Sequence, residues 1–175
     1  MDGKELFRFS DDNQAFVLPS YGTALFVNNY QDGSHITRHN LITGAIDTVF
    51  TIRKPEWTYE FIADEDCFAF ISMNSHKVRT FILKDGQCSE CTGISGQQHT
   101  GSQIPIRISR QPNGYIYLSL QNLSYNLLNT TLVSVDDGKS WDVLFREEYA
   151  AVCNGTAYYF TGHGKDMILC KKIVN

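Results

Sequence analysis

Two interleaved series of tight turns, each returning roughly every forty residues, constrain this 175-residue chain more than any other feature of it. In the first series Tyr21-Gly22 stands before Thr-Ala-Leu-Phe-Val, Asn113-Gly114 before Tyr-Ile-Tyr-Leu, and Asn154-Gly155 before Thr-Ala-Tyr-Tyr-Phe. Glu65-Asp66, before Cys-Phe-Ala-Phe-Ile, fills the same place without a glycine. The steps are 44, 48 and 41 residues, and 42 more separate Gly155 from Gly22 through the termini. The second series is Asp2-Gly3, Thr43-Gly44, Asp85-Gly86 and Asp137-Gly138, with steps of 41, 42 and 52, and 40 on wrapping round. Asp-Gly and Asn-Gly accept the positive φ that two-residue hairpin turns demand, so each such pair marks a reversal of the chain.

Between the turns no stretch repeats its apolar residues at the helical period. Alternating, β-rich runs of five to eight residues recur instead, fed by 11 Phe, 9 Tyr and 2 Trp. The chain therefore divides into four units of four strands, an all-β reading best met by one small four-bladed β-propeller spanning residues 1–175. The units cover residues 14–52, 58–94, 104–146, and 149–173 joined by 4–9. The last unit ends after its third strand. Lys4-Glu5-Leu6-Phe7-Arg8-Phe9, following Asp2-Gly3, supplies the missing fourth and closes the ring without an open edge. A β-sandwich of similar strand count explains neither the period nor the split unit.

One motif stands out within this frame. Ser134-Val-Asp136-Asp-Gly138-Lys-Ser140-Trp141 resembles the Asp-box, S-x-D-x-G-x-[ST]-W, of the sialidase and BNR-repeat propellers. The resemblance covers eight residues, and it implies a hairpin between the third and fourth strands of a blade, where the turn series also puts it. It implies a structural role for Ser134, Asp136, Gly138 and Trp141, since such boxes lie away from the ligand face. It carries no sialidase activity: those enzymes use a carboxylate-clamping set of arginines, an activated tyrosine and an aspartic acid on six blades. No arginine here falls in a matching motif, so no catalytic residue is assigned.

The predicted ring has one end of tight turns and one of longer segments, and loops on a rigid scaffold commonly carry binding groups. The longer-segment end, with a loop expected over Asn28–Ser34, collects Tyr30, His35, Trp57, His76, His99, Tyr125, Asn126 and His163. Aromatic, amide and imidazole side chains suit recognition, with the histidines sensitive to pH. The leading expectation is a non-catalytic binding domain for another protein, because these segments differ from blade to blade and so suit one asymmetric partner. The alternatives are a lectin or small-metabolite binder, with Trp57, Tyr125 and Asn126 on a sugar, and a hydrolase in the central channel, for whose lining Arg107 and Arg110 are candidates.

Several classes are set aside. A net charge of -4 lacks the basic field that nucleic acid requires. Neither a secretory leader nor a membrane span is visible, so the expected location is the cytoplasm, with an odd count of five cysteines fitting a reduced protein. Cys88-Ser-Glu-Cys91 has zinc or redox spacing, but on a strand residues three apart face opposite ways. No second such pair exists, and neither metal nor cofactor is expected.

Overall fold

A computed structural model describes residues 14–18, 22–55, 58–64, 66–72, 77–84, 87–91, 103–123, 129–147, 149–162 and 166–174. These residues hold fifteen strands and no helix. The strands are β1 (Gln14–Leu18), β2 (Thr23–Tyr30), β3 (Gly33–Asn40), β4 (Ile46–Arg53), β5 (Thr58–Asp64), β6 (Cys67–Ser72), β7 (Lys77–Lys84) and β8 (Gln87–Glu90). They continue as β9 (Gln103–Arg110), β10 (Ile116–Asn122), β11 (Thr130–Ser134), β12 (Asp142–Phe145), β13 (Tyr149–Cys153), β14 (Thr156–Thr161) and β15 (Ile168–Ile173). They form four antiparallel sheets of consecutive strands, β1–β4, β5–β8, β9–β12 and β13–β15. The segment 4–9, expected as the last strand of the fourth sheet, lies outside the described residues.

The turns behave as their residue types dictate. Asn154 and Gly155 join β13 to β14 with φ of 47° and 70°, the doubly positive pair of a type I′ hairpin. Gly22 and Gly114 also sit at positive φ, 57° and 87°. One expected loop is shorter than its composition suggests. The segment Asn28–Ser34 is strand as far as Tyr30 and again from Gly33, leaving a two-residue turn at Gln31-Asp32. Gly33 makes this possible, because a Cβ there would run into the backbone of Ile52 on β4.

Central strands are apolar on both faces, and this stacks the sheets in chain order. On β6 Phe68 and Phe70 face Leu25, Val27, Ile36 and Ile52 of the first sheet, whereas Cys67, Ala69 and Ile71 join Ile108, Ile116 and Leu118 of the third. Successive pleat positions thus serve successive interfaces. Phe81 anchors the first interface, stacked on Phe68 at 4.9 Å and Phe70 at 5.5 Å, with Phe50 tilted against it at 4.5 Å. On β10 the same alternation sends Tyr117 to the fourth sheet, among Phe145, Tyr149 and Ala157. The leading strands lie nearest one another, β1 against β5 and β5 against β9.

Candidate functional site

Antiparallel pairing places the first and third turns of each sheet at one end, and the second turn with the inter-sheet linkers at the other. The two ends have different chemistry.

At the tight-turn end, Ser134–Trp141 forms the β11–β12 connection. Asp137 and Gly138 take φ of 56° and 81°. The Asp136 carboxylate accepts from Ser134 Oγ (2.8 Å), Ser140 N (2.9 Å) and Ser140 Oγ (2.6 Å), while Ser134 Oγ accepts from Gly138 N (2.8 Å). Bonds from Ser140 above all hold the Asp136 carboxyl down at about 2, because they favour the charged form. Trp141 is buried and donates Nε1–H to Gly138 O at 3.2 Å. A Cβ at Gly138 would fall on the Cys91 side chain, so the connection rests directly on the second sheet.

Arg110 ties the same end together. At the end of β9, its guanidinium donates to Asp66 in the β5–β6 turn (2.6 Å) and to Asp137 (2.9 Å). Arg107, its companion as a candidate channel residue, donates Nη1–H to the backbone oxygens of Tyr149 (3.2 Å) and Ala150 (2.8 Å) and lies over the Tyr149 ring. Both arginines therefore link adjacent sheets. Burial pushes the Tyr149 hydroxyl far up its range, and it donates to Ser109 Oγ at 3.1 Å.

At the opposite end, the structure brings Tyr30 and His35 together. Their rings meet edge-on at 4.9 Å, and His35 Nε2 reaches both carboxylate oxygens of Asp32 at 3.2 and 3.3 Å. The Tyr30 side chain stays 55% exposed, so an aromatic ring is presented to solvent in a fixed pose. Its face of the sheet continues inward as a polar ladder that sequence reasoning missed. Asn28 donates Nδ2–H to Thr37 Oγ1 (3.2 Å), and Thr37 Oγ1 bonds His39 Nε2 (3.1 Å). His39 lies 4.3 Å from the Phe26 ring centre, and burial lowers its pKa. Alternation at positions 28 and 30, then 35, 37 and 39, carries the signal for this ladder, but reading it requires the register Asn28↔His35. Leu123, Met167 and Ile168, each more than half exposed, stand at this end of the third and fourth sheets. Trp57, His76, His99, Tyr125, Asn126 and His163 lie outside the described residues.

The two cysteines of Cys88-Ser-Glu-Cys91 pack into different interfaces, Cys88 toward the first sheet and Cys91 toward the third. Burial raises both thiols to about 12. No group of three His, Cys, Asp or Glu side chains able to hold a metal gathers among the described residues.

No protein-family model matches the chain, and no curated protein matches it. Among solved structures it is similar to the crystal structure of TolB from Acinetobacter baumannii, with a TM-score of 0.52 and 14% sequence identity. That neighbour is a β-propeller. The match covers 89% of this chain and 39% of the other, so the chain spans about two fifths of that structure's length. At this identity the likeness is one of fold, an all-β arrangement of propeller type. No helix among the described residues is long and apolar enough to cross a membrane.

Proposed function

We propose that this protein is a non-catalytic binding module that recognises another protein through the longer-loop end of a four-bladed propeller. In this reading the four stacked sheets are the blades, and residues 4–9 complete the fourth. The observation that carries the functional part is the Tyr30–His35–Asp32 arrangement. An exposed aromatic side chain set against the His35 ring, which Asp32 in turn holds, loses little conformational freedom on binding, which is why such residues dominate the energetics of protein interfaces. Exposed Leu123, Met167 and Ile168 supply apolar area at the same end, in keeping with a protein partner. Stacked antiparallel sheets with a propeller likeness support a rigid platform beneath them. Five unpaired cysteines favour a reducing, cytoplasmic setting.

The test is affinity capture with quantitative mass spectrometry, comparing wild type with Tyr30→Ala/His35→Ala and with His76→Ala/Tyr125→Ala/His163→Ala. One protein retained by the wild type and lost by folded variants supports both the module and its face. Equal capture by all three overturns the choice of face. A wild type that retains no protein yet binds an immobilised glycan overturns the protein-partner reading in favour of a lectin.

A further inference from the structure

Of the described arginines, Arg38, Arg79, Arg107 and Arg110 are each committed to a carboxylate or to backbone oxygens. Arg53 and Arg146 are exposed, and their guanidinium groups bond no described residue. Arg53 adjoins the Tyr30 group. The register sets Tyr30 of β2 opposite Gly33 of β3, and Gly33 opposite Arg53 of β4, so the three stand in one row across the first sheet. Residues directly opposite on antiparallel strands share a face. The next row on that face is Asn28, His35 and Thr51, whereas Ser34 and Ile52, in the row between, are buried toward the second sheet.

Gly33 has no side chain, and a Cβ there would meet Ile52 O. Neighbouring strands lie about 4.8 Å apart, so the backbone positions of Tyr30 and Arg53 are separated by roughly 10 Å with bare backbone between them. An exposed aromatic side chain and an exposed cationic one therefore flank a shallow notch that carries no side chain at its floor.

We propose that this notch takes an acidic side chain, Asp or Glu, from the protein partner, with its carboxylate on the Arg53 guanidinium and the adjoining chain against the Tyr30 ring. The inference rests on the protein-binding reading above and adds to it the chemistry of the partner. A guanidinium presents a planar fork that matches a carboxylate bidentately, and Arg and Tyr are among the residue types enriched at the energetic centres of interfaces. The nearby Asp32 carboxylate does not occupy Arg53, since its two oxygens lie 3.2 and 3.3 Å from His35 Nε2. Lys54, also exposed, follows Arg53, and its backbone N–H donates to Asp32 O at 3.0 Å. Among the described residues here two cations thus stand against one carboxylate, in a chain whose net charge is -4. A basic partner segment would meet like charge at this place.

The test sorts a bead library of short random peptides, C-terminally amidated, on the intact protein. Wild type is expected to enrich peptides carrying Asp or Glu. Arg53→Glu is expected to weaken those peptides roughly tenfold or more and to shift enrichment toward Lys and Arg. Tyr30→Ala weakens the same peptides, and raising the salt does so as well. Arg53→Gln, which removes a charge without adding one, guards against a folding defect: it should lose the acidic preference and gain no basic one. Selected peptides that bind Arg53→Glu as tightly as wild type overturn the inference. So do a selection without acidic bias, and one that succeeds only when the peptides end in a free carboxylate. The two readings fail separately. A protein captured through Tyr30 and His35 yet held equally by Arg53→Glu refutes the acidic partner alone, whereas a wild type that captures no protein refutes the module.

Discussion

Replacing Trp141 by alanine tests how much of the third sheet's stability depends on the β11–β12 connection. Trp141 is 4% exposed and packs with Cys67, Cys91, Ile116 and Leu132 between the second and third sheets. A side chain of this kind buries about 150–250 Å². At about 25 cal/mol per Å² the lost transfer free energy is roughly 4–6 kcal/mol, an upper bound because the denatured chain already buries part of it. Large-to-small aromatic replacements in cores cost about 3–5 kcal/mol, and we adopt that range here. For a chain of this length each kcal/mol moves the midpoint by about 2–4 °C, so the expected fall in Tm is roughly 6–20 °C. Trp141→Phe keeps most of the packing but leaves Gly138 O without its Nε1–H donor, and is expected to cost only about 1–2 kcal/mol. Circular dichroism must follow the transition, because the chain has only two tryptophans and the variant removes one fluorophore. A loss below about 1 kcal/mol for the alanine variant would refute the packing role, since no cavity-forming site of this size is that cheap.

Other outcomes follow from the same geometry. The Asp136 carboxyl titrates at about 2 in the folded protein, below the usual unfolded value, so its contribution is fully present above about pH 4 and lost as pH falls through 2. The stability gap between wild type and Asp136→Asn should therefore narrow between about pH 4 and 2 in urea titrations, and a gap constant with pH would sink the idea. Arg110→Met leaves the Asp66 and Asp137 carboxylates facing each other without their shared cation. Because those carboxylates are partly solvated, the expected cost is about 1–3 kcal/mol. The difference from wild type should shrink in high salt; a cost independent of salt would mean that packing, not charge, is lost. Cys153 is exposed, whereas Cys67 and Cys91 are buried with raised pKa values. A thiol reagent should label Cys153 well before either, with all five reacting in denaturant; early labelling of Cys67 or Cys91 would contradict the stacking of the second and third sheets.

The division into four consecutive antiparallel sheets was legible because turn chemistry is local: Asn154-Gly155 needs positive φ whatever surrounds it. The opposite faces of Cys88 and Cys91 were legible for a similar reason, strand alternation being a property of the backbone alone. The candidate site was less so. Composition suggested a loop over Asn28–Ser34, yet cross-strand pairing carries β2 and β3 through most of it, and pairing is a long-range property that no window of sequence reports. The ladder of Asn28, Thr37 and His39 escaped notice for that reason, as did Asp32, which matters only because the turn brings its carboxylate to His35 Nε2. Arg107 and Arg110 show the converse. Their place on the leading strand of the third sheet made them candidates for a channel lining; what the strand position did not report is that Arg107 reaches backbone oxygens of the fourth sheet and Arg110 reaches Asp66 of the second as well as Asp137 of its own. The sheets are thus joined by long polar side chains at the leading strands and the tight-turn end, in addition to the apolar residues between their faces. The Tyr30–His35–Asp32 group stands clear of those connections, at the far end of its hairpin. A change at Tyr30 should therefore leave the links of Arg107, Arg110 and Trp141 intact, which is the condition under which recognition can vary on a constant scaffold.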